Sequence, residues 1–307
     1  MPPKSPSKTP PRELVTILDF VRYAASRFTE AKLAFGQGTR DAIEDAMFLV
    51  CEVLRLPKDN AEAFLSARLT AAERRHVFGL IETRVRTRTP AAYLVKRAYL
   101  QDNAFYIDER AIVPRSYLAE LLYGELFMGE EQLVDRMAVA RVLDLCTGSG
   151  CLAILACDVF PNAQVDAVDV SKDALEVAKI NVTEHGLEAR VRLMRGDLFK
   201  PAGDTVYDVI LCNPPYVDAE GMARLPEEYR REPRLALAAG ADGLDIVRRI
   251  LREARAHLSD DGGLLCEIGR CRPALEAGFP GTNFLWLDTT ESSGEVFWLS
   301  AAALEQG

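Results

Sequence analysis

The 307-residue sequence contains only three histidines, scattered without any His-x-x-x-His spacing, and its seven cysteines form no C-x-x-C pair. Zinc ligands usually occur as closely spaced His and Cys pairs, so no pattern here supports zinc chemistry and we expect no metal site. Four cysteines stand among apolar residues, which favours reduced thiols in the core over metal ligands. They are Cys51, Cys146, Cys212 and Cys266.

Long apolar segments are missing as well. No run approaches the roughly 20 apolar residues that span a bilayer, so we expect no membrane partner. Residues 1–11 contain five prolines and two lysines but no apolar stretch of the kind found in secretory signals. We therefore predict a disordered tail over residues 1–11 and a cytoplasmic protein.

The chain also lacks an excess of positive charge, since its formal net charge is −9 at pH 7. Tight binding of naked nucleic acid across the whole surface needs a basic footprint, whereas an acidic surface suits a basic protein partner. Residues 68–97 depart from this average, with eight Lys or Arg residues against two glutamates. Such a run is usually a solvated helix face, but it would also serve to contact RNA.

The first part of the chain shows the 3.6-residue periodicity of helices. Apolar residues recur at this spacing through much of residues 12–95, and Thr70 with Glu73 forms a capping-box pattern. We predict a small helical domain over residues 12–95. Residues 96–115 follow, with two short runs of strand composition separated by the turn-forming Gln101-Asp102-Asn103, and they are predicted to form a β-hairpin linker.

Beyond residue 141 the pattern changes to strands that alternate with helices. Alternation of this kind specifies a mainly parallel sheet with helices on both faces, so we predict an α/β domain over residues 116–307. The predicted strands comprise residues 142–146, 165–168, 191–194, 206–212, 264–268, 284–287 and 296–299, and predicted helices begin at Cys151, Lys172 and Leu244. A turn-rich stretch separates the last two strands, which we expect to pair as an antiparallel edge.

A glycine-rich turn follows the first strand of this domain. It reads D-L-C-T-G-S-G over residues 144–150, and its glycines let the backbone approach a ligand closely. The turn also fits the loose G-x-G-x-x-A pattern of dinucleotide sites, so a nicotinamide dehydrogenase is a competing interpretation. Asp144, Asp169 and Asp197 lie near the ends of three successive strands. Their carboxylates would repel a pyrophosphate but suit a cationic amino-acid and nucleoside ligand.

The tetrapeptide Asn213-Pro214-Pro215-Tyr216 follows the fourth strand, at the carboxyl end where open α/β sheets bind ligands. The two prolines remove two backbone donors and fix φ, which leaves a rigid turn rich in acceptors. Such a turn can hold an NH2 group by both of its hydrogens. Taken alone, the motif could also be an ordinary proline-rich turn.

The order of these motifs resembles that of the class I S-adenosylmethionine-dependent methyltransferases, specifically the HemK/PrmB family of protein-glutamine methyltransferases. The motifs are D-L-C-T-G-S-G, A-V-D-V-S, G-D-L-F and N-P-P-Y, and the resemblance extends to R-T-P-A-A-Y-L, I-V-P-R-S and residues 225–245. It implies a Rossmann-like, mainly parallel seven-stranded sheet. It also implies a small helical N-terminal domain that recognises the substrate and is joined to the sheet by the hairpin.

The resemblance further implies which residues bind the cofactor and the substrate. The glycine-rich turn would pass beside the methionine part of S-adenosylmethionine, Asp169 would accept the ribose hydroxyls, and Asp197 with Leu198 would contact the adenine. The implied cofactor-binding residues are Asp144, Cys146, Thr147, Gly148, Ser149, Gly150, Asp169, Val170, Asp197, Leu198 and Asn213. The implied catalytic residues are Asn213, Pro214, Pro215 and Tyr216, and the implied substrate-binding residues are Asn213, Pro214, Tyr216 and Arg115.

The Asn213-Pro214-Pro215-Tyr216 motif suits the chemistry of an amide nitrogen. Such a nitrogen is a poor nucleophile because its lone pair is delocalised into the carbonyl. If the Asn213 side-chain oxygen and the Pro214 carbonyl accept its two hydrogens, the lone pair becomes more available and the developing positive charge is stabilised. No strong base is then required. The same motif occurs in methyltransferases of exocyclic base amines, which would have to capture a base in the pocket. A non-catalytic binding module with this fold is a further alternative.

Within the family, the sequence is most similar to the branch that methylates a glutamine of ribosomal protein uL3. Cys146, the Pro114-Arg115-Ser116 triplet and the E-Y-R-R-E-P run favour it over the branch acting on peptide chain release factors. Arg231 departs from the branch, which usually has histidine there. We expect uL3 as the partner, free or in assembly intermediates, because an acidic enzyme suits a basic protein. The basic residues 68–97 leave room for contact with ribosomal RNA.

Overall fold

The computed structural model describes residues 9–130 and 132–305. The chain forms two compact units, one comprising the chain up to Ala98 together with Pro226–Glu232, the other comprising Tyr99–Leu225 and the chain from Pro233 onward. Pro226–Glu232 therefore packs with the helical unit, whereas the sequence placed it inside the 116–307 domain. Residues 1–8 of the predicted tail lie outside the described residues. The roles assigned to the predicted domains remain predictions.

The first unit is built from helices, as the periodicity predicted. They are α1 (Ile17–Glu30), α2 (Ala42–Val53), α3 (Ala71–Thr87) and α4 (Ala91–Val95), with a 3₁₀ helix at Lys58–Phe64. The capping box at the start of α3 is confirmed, because the Glu73 N–H donates to the Thr70 hydroxyl at 3.3 Å and the Thr70 N–H donates to the Glu73 carboxylate at 2.8 Å. Phe20, Phe28 and Ile81 are fully buried in the core of this unit.

A buried ion pair lies within the same helical unit. Arg84 of α3 and Asp45 of α2 are joined by 3.1 Å between Nε and Oδ2, and both side chains are almost wholly inaccessible. The Thr39 hydroxyl donates to the other Asp45 oxygen at 2.8 Å. The pair thus links two helices to the loop before α2.

Two short strands form the predicted hairpin. They are β1 (Ala98–Leu100) and β2 (Asn103–Phe105). Gln101 and Asp102 between them both have positive φ, 48° and 61°, which is the conformation of a type I′ turn and matches the twist of a two-residue hairpin. The sequence predicts the second strand at residues 105–107 with Asn103 in the turn, but the strand starts at Asn103 and ends at Phe105.

The second unit contains a seven-stranded sheet. Its strands are β3 (Arg141–Leu145), β4 (Gln164–Asp169), β5 (Val191–Arg195), β6 (Tyr207–Cys212), β7 (Leu258–Glu267), β8 (Leu285–Leu287) and β9 (Val296–Ser300). The order across the sheet is β5-β4-β3-β6-β7-β9-β8. Only β9 runs against its neighbours, so the predicted mainly parallel sheet with an antiparallel edge is confirmed.

Helices cover both faces of this sheet. The helices of this unit are α5 (Tyr117–Leu122), α6 (Glu125–Met128), α7 (Cys151–Val159), α8 (Lys172–Glu184), α9 (Ala219–Arg224), α10 (Asp245–Glu253), α11 (Arg272–Gly278) and α12 (Ala301–Glu305), of which α9 has no buried residue. The sequence predicts that the helix beginning at Leu244 extends to Leu258, but α10 ends at Glu253 and a 3₁₀ turn at Ala254–His257 leads into β7. In the described ranges no helix has both the length and the apolar character needed to cross a membrane.

Candidate functional site

The glycine loop, defined as residues 146–150, connects β3 to α7. Cys146, Gly148 and Gly150 all have positive φ, at 59°, 57° and 80°. A Cβ on Gly150 would lie 3.1 Å from the Ala178 Cβ of α8, so glycine there allows the loop to pack against that helix. A Cβ on Gly148 would lie 3.8 Å from the Ile112 side chain, an ordinary van der Waals contact, so the positive φ is what favours glycine at this position.

Asp144 lies beneath the glycine loop and is fully buried. Its Oδ2 accepts from the Thr147 hydroxyl at 2.5 Å and from the Ala153 N–H at 3.1 Å, whereas its Oδ1 has no hydrogen-bond partner. Burial raises the pKa of Asp144 to about 7, against the lowering effect of those two hydrogen bonds. The side chain therefore holds the loop onto the start of α7 and keeps one unsatisfied polar atom in the interior.

Asp169, at the end of β4, joins the glycine loop to the next strand. Its Oδ2 accepts from the Gly148 N–H at 2.9 Å and its Oδ1 from the Ser171 N–H at 2.8 Å. Burial raises the pKa of this carboxyl, and the backbone hydrogen bonds oppose the rise. The adjacent Val170 is half exposed. The structure thus brings the predicted ribose-binding carboxylate into direct contact with the predicted glycine loop.

Asp197 follows β5 and lies in a different environment. Arg249 of α10 donates to it at 2.8 Å and Lys200 at 2.9 Å. The hydrogen bonds from Lys200 and then Arg249 lower the pKa of Asp197, which therefore carries a compensated charge. Leu198 beside it is buried with a positive φ of 51°. No described hydrogen bond joins Asp197 to the glycine loop, and the sequence analysis did not identify its partner Arg249.

Asn213 directly follows β6. Its side-chain Nδ2 donates to the main-chain carbonyl of Arg115 at 3.2 Å. Because the amide group is planar, this bond also fixes the direction of Oδ1, the atom predicted to accept from the substrate. Pro214 and Pro215 contribute carbonyls but no N–H groups to the turn. The Arg115 side chain itself donates to the carbonyl of Val113 at 3.3 Å.

Tyr216 is held by a residue that the sequence analysis missed. Its hydroxyl donates to the Glu267 carboxylate at 3.0 Å, and Glu267 is the buried last residue of β7. Burial, followed by the negative charge of Glu267, raises the pKa of the Tyr216 phenol. A Cβ on Gly269 would lie 2.8 Å from the Tyr216 ring, so glycine is needed for the ring to fit. A charged residue inside the otherwise apolar run L-L-C-E-I was the signal that could have identified Glu267.

Asn181 of α8 is a second residue that the sequence analysis missed. It is fully buried, and its Nδ2 donates to the carbonyls of Ser149 at 2.8 Å and Tyr106 at 3.1 Å. Its Oδ1 accepts from the Tyr106 N–H at 2.7 Å. One side chain therefore ties the glycine loop to the segment after the hairpin. An asparagine on the buried face of an amphipathic helix is the pattern that marks such a residue.

Strand register explains why these groups come together. Leu145 of β3 pairs with Val168 of β4 on one side and with Cys212 of β6 on the other. The glycine loop, Asp169 and Asn213 consequently leave neighbouring strands at the same edge of the sheet, where open α/β sheets bind ligands. The arrangement offers acceptors and exposed backbone. Within the described ranges no cluster of three or more His, Cys, Asp or Glu side chains could hold a metal ion, and all seven cysteines are free thiols.

Comparison with known proteins identifies the family. A family model described as "Methyltransferase small domain" matches residues 123–227. The chain is 61% identical over 297 residues to "Ribosomal protein uL3 glutamine methyltransferase" of Bradyrhizobium diazoefficiens, covering 95% of this chain and 93% of the relative. The chain belongs to the ribosomal protein uL3 glutamine methyltransferase family. Its relative of the same name in Burkholderia pseudomallei is 51% identical over 303 residues, covering 96% and 98% of the two chains.

Membership of the uL3 glutamine methyltransferase family confirms the predicted methyltransferase and decides against the dehydrogenase interpretation. Solved structures match the chain at lower similarity. The crystal structure of ribosomal protein L11 methylase from Lactobacillus delbrueckii subsp. bulgaricus is 23% identical, with 52% of this chain and 67% of that chain covered and a TM-score of 0.36. The human Mettl16 catalytic domain with an RNA hairpin is 16% identical, with 91% and 89% covered and a TM-score of 0.47.

Proposed function

We propose that this protein transfers a methyl group from S-adenosylmethionine to the side-chain amide nitrogen of a glutamine in ribosomal protein uL3. The names of its relatives, at 61% and 51% identity over at least 95% of the chain, support this reaction. The observation that carries the proposal is the fixed Asn213 amide, whose Nδ2 is held by the Arg115 carbonyl at the carboxyl end of β6. Its oxygen is thereby directed as an acceptor before any substrate arrives.

The residues at this edge of the sheet fit the proposed cofactor. S-adenosylmethionine supplies, when bound, an electrophilic methyl group on a sulfonium, and it carries ribose hydroxyls and an ammonium group that all call for acceptors. The unpartnered Oδ1 of buried Asp144 is a free acceptor beneath the glycine loop and matches such a ligand. We assign its binding to the glycine loop with Asp144, Asp169, Val170, Asp197, Leu198 and Asn213.

Asn213 and Pro214 carry the chemical step in this proposal. The Asn213 Oδ1 and the Pro214 carbonyl accept the two hydrogens of the substrate amide, which makes its nitrogen lone pair more available. Acceptors fixed in advance stabilise the positive charge that develops on the nitrogen. Pro215 keeps the turn rigid, and Tyr216 forms a wall against the amide plane. Arg115 contributes through its backbone carbonyl.

The charge of the chain supports a basic protein as substrate. At −9 the enzyme attracts a basic ribosomal protein, and this attraction is strongest before RNA covers that protein. We therefore propose that free uL3 or uL3 in assembly intermediates is methylated in preference to uL3 in finished subunits. The helical unit is the proposed region of substrate recognition.

The basic residues 68–97 contribute less to RNA contact than their number indicated. Arg84 is buried against Asp45, Arg88 pairs with buried Glu228 at 3.1 Å, and Arg97 lies 3.8 Å from Glu52. Arg74 donates to the carbonyls of Pro11 and Arg12. Contact with ribosomal RNA thus remains a secondary proposal that would use the exposed cations of this segment. These are Arg68, Arg75, Arg86, Lys96 and Arg97.

A parallel comparison of candidate substrates tests the proposed function. The purified protein is incubated with isotope-labelled S-adenosylmethionine and, in parallel, with free uL3, finished large subunits, a release factor and ribosomal RNA. We expect one added methyl group on a glutamine of free uL3, slower labelling of finished subunits and none with Asn213→Ala. Labelling of the release factor alone would place the protein in the sister branch, and labelling of RNA alone would make it an exocyclic-amine methyltransferase.

A further inference from the structure

The buried carboxylate of Glu267 links two separate segments of the chain. Its Oε1 accepts from the Tyr216 hydroxyl at 3.0 Å, while its Oε2 accepts from the Ser116 hydroxyl at 2.7 Å and from the Tyr117 N–H at 3.0 Å. Only 2% of the residue is exposed. Three donors therefore compensate a buried carboxylate, and they come from the motif after β6 and from the start of α5.

The segment at the start of α5 also adjoins the carbonyl that orients the Asn213 side chain. Ser116 and Tyr117 directly follow Arg115, whose carbonyl accepts from the Asn213 Nδ2. Ser116 is the N-cap of α5 and accepts from the Leu118 N–H at 3.2 Å. When Glu267 anchors Ser116 and Tyr117, it consequently restrains the carbonyl that orients the Asn213 amide.

Tyr216 is fixed from other sides as well. A Cβ on Gly269 would lie 2.8 Å from the Tyr216 ring, and a Cβ on Gly243 would lie 2.3 Å from its main-chain oxygen. The Cys271 thiol also approaches that oxygen at 3.4 Å. The ring and backbone of Tyr216 are thus enclosed, and the hydrogen bond to Glu267 additionally fixes the position of its hydroxyl.

We propose that Glu267 is a positioning residue that holds Asn213, through Arg115, and Tyr216, directly, in the geometry that the methyl transfer needs. This inference rests on the proposed function of the same site. We assign Glu267 no contact of its own with substrate or cofactor, because its described hydrogen bonds all go to Tyr216, Ser116 and Tyr117. Its contribution is preorganisation, because acceptors that are already aligned need no reorganisation when the charge develops.

The hydrogen-bond inventory explains why a carboxylate stands there. An ionised carboxylate presents acceptors on both oxygens, whereas a glutamine amide has one oxygen and an NH2 group that only donates. The Tyr117 N–H cannot rotate away from an NH2 group. Glu267→Gln therefore keeps the volume, but its NH2 group either removes the acceptor of the Tyr117 N–H or forces the Tyr216 hydroxyl to turn from donor to acceptor.

Steady-state kinetics with uL3 test the role of Glu267. We expect Glu267→Gln to lower kcat by up to about a hundredfold, the scale of a small misplacement of reacting groups, while the Kd for S-adenosylmethionine stays within about twofold of wild type. The matched control is Glu295→Gln, which removes a nearby negative charge but none of these hydrogen bonds. It should keep the wild-type kcat. Wild-type kcat in Glu267→Gln, or an equal loss of cofactor affinity, would overturn the proposal.

Double variants separate positioning from general destabilisation. If Glu267 acts through Tyr216, the combination of Glu267→Gln with Tyr216→Phe should lose less activity than the product of the two single losses. The same holds for the combination with Ser116→Ala. Losses that multiply fully in both combinations would contradict the proposed route.

An NMR measurement tests the positioning role of Glu267 without requiring turnover of any substrate. The side-chain NH2 signals of Asn213 in a ¹⁵N-edited NMR spectrum are assigned by their loss in Asn213→Asp. We expect them to shift in Glu267→Gln and to stay in place in Glu295→Gln. Unchanged signals in Glu267→Gln would refute the positioning role, whatever substrate the enzyme methylates. Absence of uL3 methylation by the wild type would instead refute the proposed function.

Discussion

The side-chain nitrogen of Asn213 donates to the main-chain carbonyl of Arg115 across 3.2 Å, although the two residues lie 98 positions apart in the sequence. The bond joins the turn after β6 to the segment before α5. It means that the amide of Asn213 has one orientation before substrate binds, and that this orientation presents Oδ1 as an acceptor. Electrostatic preorganisation of this kind is usually the largest single contribution to an enzyme's rate enhancement.

Asn213→Ala should remove most of the activity. Loss of one preorganised polar group lowers kcat by about a hundredfold to a thousandfold. Single-turnover measurements give the chemical rate, and calorimetry should show that S-adenosylmethionine still binds. Asn213→Asp is a second test of nearly the same size, and it should also be impaired because a carboxylate cannot donate to the Arg115 carbonyl. Near-normal turnover in either variant contradicts the role assigned to the amide.

Asp169→Ala should weaken cofactor binding. The proposed ribose contacts to an ionised group contribute about 1.5–3 kcal/mol each, and the variant also loses the acceptor for the Gly148 N–H. Calorimetric titration with S-adenosylmethionine measures the effect. Asp173→Ala, which removes an exposed carboxylate from the first turn of α8, is the control and should bind normally. Equal affinities of the two variants would argue against a ribose site at Asp169.

The buried ion pair of the helical unit should show its cost when only one partner is removed. Arg84→Met leaves Asp45 buried without its cation, which destabilises the fold by about 3–5 kcal/mol. Replacement of both partners by apolar residues, Arg84→Met with Asp45→Leu, should recover much of this loss. Arg40→Ala removes an exposed pair with Glu44 and should change the free energy of unfolding by less than about 1 kcal/mol. Urea denaturation distinguishes these outcomes.

The Asp144 carboxyl predicts a pH dependence of stability. Its pKa is raised by burial to about 7, above the value of about 3.9 in an unfolded chain. The folded state therefore binds the proton more tightly, so the stabilising contribution is complete below about pH 4 and is lost as the pH rises through about 7. The loss is on the order of a few kcal/mol, at about 1.4 kcal/mol per pKa unit.

Asp144→Asn isolates this contribution, because asparagine carries no titrating proton at any of these pH values. The free energy of unfolding is measured by denaturant titration without cofactor at about pH 5 and about pH 8. We expect the wild type to lose more stability than the variant between the two. Equal losses would show that Asp144 ionises in the folded protein at an ordinary pH.

The elements that could be predicted from sequence are those with a strong local signal. Alternating strands and helices, the glycines of residues 146–150 and the motif at Asn213 each carry their pattern within a few residues. The antiparallel pairing of β8 with β9 followed from the turn-rich stretch between them. In contrast, β7 begins at Leu258, six residues before the predicted start. The prediction was wrong there because Ser259, Asp260 and Asp261 are residues typical of a loop.

The contacts that orient the site were beyond sequence reasoning, since their partners lie far apart in the chain. Glu267 meets Tyr216 across 51 residues and Ser116 across 151. Arg249 neutralises Asp197 across 52 residues. Pro226–Glu232 packs with the helical unit although its neighbours on both sides belong to the other unit. A periodicity reports which residues are buried, but it does not report which distant residue compensates a buried charge.

The mass of uL3 in cells that lack this protein tests directly whether uL3 is the substrate. Ribosomal proteins and release factors from these cells are compared by tandem mass spectrometry with those from cells carrying the wild type or Asn213→Ala. We expect that one glutamine of uL3 loses a methyl group, that the wild type restores it and that Asn213→Ala does not. An unchanged uL3 together with a methyl group lost from a release factor would show that the release factor, and not uL3, is the substrate.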